Sequence, residues 1–349
     1  MIARFALLAQ FALLTGLAVL PHRAPAHTPH FVVSGSIPVP GPVKWDYLTT
    51  EPGAHRLFAA QGDRVAVIDT ATGKPIATIA PINGAHGIAL APALNRGFAT
   101  AGIAGTITMF DLRSLHILKT INVGPGPDAI AFDPATDRVF APNEKSQRLF
   151  AIDARSGRIL QSIPFHADPE FIVTDDRGHA YLNLKSTDQI AVINTRTLRL
   201  TRRISLAPAC HGPVGLAIDR ARQRLFVSCV NHRVDIIAAT TGKSLALLPI
   251  PAFSDAMRYD PHTNIAFAPS IDGTLTIIGA AGPASYKIIQ TLKTAPSART
   301  MAFDQATQTA FLAAATISKI LPPKPGKTYG KTEFAPGSFS ILVVKPAKG

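Results

Sequence analysis

Several things are scarce in this 349-residue sequence, and each scarcity closes off a class of protein. There are two cysteines, too few for a disulfide-stapled scaffold. Neither Cys-x-x-Cys nor Cys-x-x-Cys-His occurs, so no zinc ribbon or covalent haem attachment is signalled. Charged residues make up 16%, against roughly 25% in an ordinary soluble domain. Hydrophobic residues reach 47%, which excludes a disordered chain, since disorder needs low hydrophobicity and dense charge. Acids are the scarcer sign: 22 Asp and Glu stand against 35 Lys and Arg, a formal charge of +13. Beyond residue 20 no apolar run approaches the roughly 20 residues of a membrane-spanning helix. The motifs G-x-S-x-G and H-E-x-x-H and a Gly-rich phosphate loop are all missing.

What is plentiful is punctuation. Twenty-nine Pro and 25 Gly argue against a helical bundle and for many short strands. The beginning of the chain reads differently. Arg4 precedes an apolar run over residues 5–20, Pro21 ends it, and Ala24-Pro25-Ala26 follows. That is the pattern of a signal peptide over residues 1–26. An uncleaved anchor is the alternative, and the run is short for one. Cleavage after Ala26 would leave residues 27–349 as one domain beginning at His27. It would remove Arg4 and Arg23 and lower the charge from +13 to +11. The expected location is periplasmic or secreted, in an oxidising compartment.

A period of about 42 residues runs through the rest of the chain. Each unit has an apolar strand ending in an acid or a turn residue, then a second strand carrying an aromatic. A loop and an alternating third strand follow, and a turn such as Thr72-Gly73-Lys74 leads to the last strand. The aromatics are Phe58, Phe98, Phe140, Tyr181, Phe226, Phe267 and Phe311. The third strands cover residues 65–69, 107–111, 149–153, 190–194, 234–238, 275–279 and 339–343. Four-stranded units repeated in this way predict an all-β seven-bladed propeller. Residues 31–37 look like a fourth strand without its first three, and the seventh unit lacks a fourth. Joining the two would complete the last blade and close the ring, leaving no large unpaired edge.

Residues 98–100, 107–111 and 119–124 together resemble the YVTN repeat. Trp45-Asp46-Tyr47, His86-Gly87-Ile88, Pro127-Asp128-Ala129, Pro169-Glu170-Phe171, Ala298-Arg299-Thr300 and Pro336-Gly337-Ser338-Phe339 extend the likeness. The chain is similar over nearly its whole length to secreted YncE-like seven-bladed propellers. That resemblance implies an exported propeller and no assigned reaction.

Subtracting the repeat isolates what the fold does not require. Glu51, Asp133, Asp175, Asp219, Asp260 and Asp304 end first strands, and Asp69, Asp111 and Asp153 end third strands. These nine read as turn residues, because an Asp side chain bonds the backbone two residues on. Five residues before the end of each first strand lies a second repeated position: Asp46, His86, Asp128, Glu170, Val214, Asp255 and Arg299. First strands line the channel of a propeller, so these residues should ring one mouth, on the face of the loops between second and third strands. His211 could fill the gap at Val214, and Trp45, the only Trp, adjoins Asp46.

Such a ring could orient a small polar ligand, with carboxylates for cationic or hydroxyl groups and Arg299 for an anionic end. It could instead hold a divalent metal ion, the one cofactor suggested, through His86, Asp128 and Glu170. It could also be a network of mutually paired charges at a solvated mouth. His86 and His211 are the leading single candidates, while His166 and Asp168 stand on the same face. Cys210 precedes the first strand of the fifth blade and Cys229 ends its second. The hairpin brings both to the same end, which predicts a disulfide.

An insertion over about residues 316–338 separates the second and third strands of blade seven. The last 34 residues carry six Lys and one Glu. The favoured reading is an exported, non-catalytic, monomeric propeller that binds a small polar ligand, a metal ion or a protein or envelope partner at the mouth. Alternatives are a metal-assisted lactone or ester hydrolase, with His86 as base and Arg299 on the anionic group, and nucleic-acid or acidic-polymer binding through the basic surface.

Overall fold

In the computed structural model, residues 29–51, 53–282, 284–322 and 332–347 are described. The segment read as a signal peptide lies outside them, as do Lys324, Lys327, Lys331 and Lys348. Seven antiparallel sheets of four strands each stand around an axis. Among the described residues there is no α-helix, only the 3₁₀ turns Pro92–Leu94 and Lys185–Thr187. The first strand of each blade contacts the first strand of the next. That of blade seven, Met301–Asp304, contacts that of blade one, Trp45–Glu51, so the ring closes.

The ring exists because the inner strands of each blade are apolar on both faces. Leu57 packs toward blade seven, and its neighbour Phe58 packs toward blade two. The same alternation gives seven hydrophobic clusters, one between each pair of adjacent blades. All seven second-strand aromatics are buried in them. Burial on both faces accounts for the near-continuous apolar runs and the low charged fraction. Fourth strands, such as Lys74–Ile79, lie at the rim and are largely exposed.

Turn acids behave as the repeat predicts. Asp69, Asp111, Asp133, Asp175, Asp219, Asp260 and Asp304 each accept a hydrogen bond from the backbone N–H two residues on. Asp153 accepts from Ser156 N–H at 2.8 Å. Glu51, with a longer side chain, instead pairs with Arg56 at 2.6 Å.

Blade seven is completed from the other end of the chain. Its strands run in the order Met301–Asp304, Thr309–Ala314, Ser340–Pro346, Phe31–Pro38. Phe31 pairs with Pro346 and Pro38 with Ser340. Phe31 is fully buried and meets Phe267 of blade six edge-on, with ring centroids 5.2 Å apart. Gln290, also of blade six, accepts from Phe31 N–H at 2.9 Å and donates to Phe31 C=O at 2.7 Å. The Cys210–Cys229 disulfide forms, with the Cα atoms 5.4 Å apart. The described part of the insertion is a hairpin of Ile317–Ile320 with Thr332–Phe334.

Candidate functional site at the channel mouth

The repeated polar position coincides with a repeated irregularity of the backbone. In blades one, two, four and five the pairing of first and second strands slips between Trp45 and Leu48, Ala85 and Ile88, Pro169 and Ile172, and Pro213 and Leu216. Asp46, His86, Glu170 and Val214 each lie inside the slip. In blade three, Asp128 follows the lone bridge between Pro127 and Asn143. Bulges of this kind re-aim a side chain out of the alternating pattern. That is how polar groups at the head of apolar strands come to face the mouth.

Buried polar side chains hold the bulges and tie one blade to the next. Thr100 of blade two accepts from Gly87 N–H at 2.7 Å and donates to Asp128 C=O in blade three. Asn183 of blade four donates to Val214 C=O at 2.8 Å in blade five. Ser228 donates to Ser254 C=O at 2.9 Å, and Thr300 of blade seven donates to Asp46 C=O at 2.8 Å. The bulge glycines are required by the same close approach. A Cβ on Gly87 would lie 2.6 Å from Asp128 C=O, and one on Gly215 would lie 2.6 Å from Ser228 Oγ.

The ring resolves into three groups. His86 Nδ1 bonds Asp46 Oδ2 and lies 3.4 Å from Asp128 Oδ1. One ligand atom from each of Asp46, His86 and Asp128 lies within 4.8 Å of the others. Glu170 pairs with Lys185 at 3.1 Å, and Asp255 pairs with Arg299 Nε at 2.8 Å. Asp128 Oδ1 is buried and accepts no hydrogen bond among the described residues.

Crowded, partly buried carboxylates shift the acidities. Burial, with the charge of Asp46, pushes the Asp128 carboxyl well above its usual range, and His86 opposes this only in part. Burial raises Glu170 to about 7 against the pull of Lys185. It also raises Asp255 against the pull of Arg299. Burial disfavours the charged His86 ring, but the bond and charge of Asp46 and the charge of Asp128 outweigh it, so its pKa is raised. The carboxyl shifts follow from desolvation and like charge, and that of His86 from opposite charge.

The other candidates stand apart. His211 Nδ1 bonds Asp188 Oδ2 at 2.7 Å, and the same carboxylate accepts from Gly212 N–H at 2.7 Å. The His211 ring therefore bonds the loop of blade four and not the trio. Asp168 accepts from Gln147 at 3.2 Å. Trp45 is 6% exposed. Its ring packs on Phe334 of the insertion, with centroids 4.8 Å apart, and on Phe339 at 5.4 Å. Glu170, grouped with His86 and Asp128 from the sequence, meets Lys185, and Asp46 takes its place beside His86. Lys185 and the bridging Thr100, Asn183, Ser228 and Thr300 are not singled out from the sequence. For Thr100, Asn183, Ser228 and Lys185 the one signal is a polar residue near the end of an otherwise apolar second strand, or in the loop after it, while Thr300 stands at the head of a first strand beside Arg299.

No family model matches the chain, and no curated protein matches it. Solved structures do. The WD40 repeats of RRP9 superpose with a TM-score of 0.74 at 10% identity, covering 93% of this chain and 99% of that one. Kuenenia stuttgartiensis hydrazine synthase gives a TM-score of 0.67 at 14% identity, covering 78% of this chain and 92% of that one. At such identities the likeness concerns the fold, a β-propeller scaffold, and function has to be argued from the site.

Proposed function

We propose that this chain is an exported, non-catalytic, YncE-like propeller whose channel mouth binds a divalent metal ion through Asp46, His86 and Asp128. The observation that carries the reading is the convergence of two carboxylates and an imidazole within 4.8 Å, with one buried carboxylate oxygen left without a hydrogen bond. Of the four carboxylates at the mouth, Glu170 and Asp255 pair with Lys185 and Arg299, which leaves Asp46 and Asp128 to His86. Mixed nitrogen and oxygen donors suit Mn²⁺ or Zn²⁺ better than Ca²⁺. Export is supported by the pattern of residues 1–26 and by the Cys210–Cys229 bridge, since disulfides persist in oxidising compartments. No helix among the described residues is long and apolar enough to cross a membrane.

Metal analysis of the purified chain, followed by thermal melts with added Mn²⁺ or Zn²⁺, tests the proposal. The expected result is about one ion per chain and a melting temperature that rises with free metal. Asp128→Asn should weaken that response at least tenfold. A metal-free protein that added divalent ions do not stabilise would refute it.

A further inference from the structure

Below the carboxylate mouth the channel is not filled. A cavity of about 310 Å³ runs from Tyr47 and Arg258 to Arg220 and Gln305 at the opposite face. Its walls are the first strands of all seven blades and are mixed in character: Phe132, Phe171 and Met257 stand among Thr49, Thr174 and exposed backbone. Tyr47 is buried between mouth and cavity, and its ring stands edge-on to Phe171 with centroids 5.1 Å apart.

Two cations line the cavity, Arg258 at its mouth end and Arg220 at the far end. The Arg258 guanidinium lies over the Phe171 ring, 5.6 Å from the centroid. It donates to Met257 C=O at 2.8 Å and to Leu48 C=O at 3.3 Å. No carboxylate among the described residues pairs with it, in contrast to Arg299 and Lys185, which have partners at the mouth. A guanidinium has five N–H donors in a planar fork that suits a carboxylate. Burial without a counter-ion costs the charge its solvation and pulls the Arg258 pKa down to about 10, with only Tyr47 acting in the other direction.

We infer that this cavity is a second binding site, for a small organic carboxylate whose anionic end pairs with Arg258 and whose body lies in the channel. The size is at the lower end of the range for small-molecule sites. An organic body adds contact with Phe132, Phe171 and Met257 that inorganic phosphate cannot make. Tyr47, Gly87 and Ala129 of the lining each follow one member of the metal trio, so the cavity begins directly beneath it.

Calorimetric titration of the full chain with benzoate, cinnamate and octanoate tests this directly. Saturable binding of at least one is expected, at least tenfold tighter than its uncharged amide and not displaced by inorganic phosphate. Failure of all three to bind at millimolar concentration, or equal affinity for acid and amide, overturns the inference. Arg258→Gln should remove the preference for the acid, and Ala131→Phe, which fills the channel from its wall, should abolish binding. Arg113→Ala on an exposed turn should leave it unchanged. Undiminished carboxylate affinity in either cavity variant would place the ligand elsewhere and overturn the inference as well. The comparison of acid with amide uses only the unaltered chain, so it stands even where a variant does not fold.

Discussion

Glu170 illustrates how one side chain is set by the fold around it. It is only 7% exposed, and burial lifts it from 4.5 to about 7 although Lys185 draws it down, with Asp255 and Glu144 adding repulsion. Between those values the native side chain keeps a proton that the unfolded chain has released. Stability from this group is therefore complete below pH 4.5 and is lost as the pH rises through 7, at most about 3 kcal/mol. The raised His86 acts in the same sense, losing its contribution as the pH rises through its folded value. We expect the melting temperature to fall from pH 5 to pH 8, and Glu170→Gln to flatten that slope. Thermal melts at both pH values decide it, and parallel profiles for the two proteins would refute it. The ring positions were legible from sequence because the repeat made a polar residue conspicuous at the head of each apolar strand. The grouping within the ring was not, because it depends on Lys185 reaching across from a loop and on bulges that spacing alone does not reveal.

At the scale of the element, the hairpin of blade five carries the only covalent cross-link among the described residues. Pro213–Asp219 and Arg224–Cys229 are antiparallel. Cys210 stands just ahead of the first and Cys229 ends the second, a sequence separation of 19. A bridge closing a loop of that length contributes about 3 kcal/mol. Cys229→Ser should lower the urea midpoint accordingly, and reductant should lower the midpoint of the parent chain but not of the variant. A parent chain indifferent to reductant would contradict this. The pairing was foreseeable because a hairpin's register is simple arithmetic. The hairpin that Thr332–Phe334 forms with Ile317–Ile320 was read only as an insertion, since Pro322, Pro323 and Pro325 mask any strand pattern nearby.

For the whole molecule, closure rests on a short N-terminal strand. Phe31 is buried between blades six and seven, and both its backbone groups are held by Gln290. Removing a buried Phe side chain costs about 3–5 kcal/mol. Here the loss falls on the strand that joins the two ends of the ring. Phe31→Ala should lower the melting temperature by several degrees and increase hydrogen exchange in Ser340–Pro346, the strand it covers, more than in blades two to four. Uniform exchange across all blades would argue against a localised closure. The number of blades and the mode of closure were legible because the period is regular and an orphan strand at one end matches a missing strand at the other. The central cavity was not, because its walls come from seven strands that are distant in sequence and individually unremarkable.

The same closure fixes the direction in which the molecule is presented. Phe31 pairs with Pro346, and Ala347 N–H donates to His30 C=O at 2.6 Å, so both ends of the described chain emerge side by side. They leave from the face where the other blades make their third turns, the face onto which the cavity opens. Anything joined to either end, whether a tether, a fused domain or a solid support, would stand beneath the propeller. The mouth with Asp46, His86 and Asp128 would point outward and remain unobstructed.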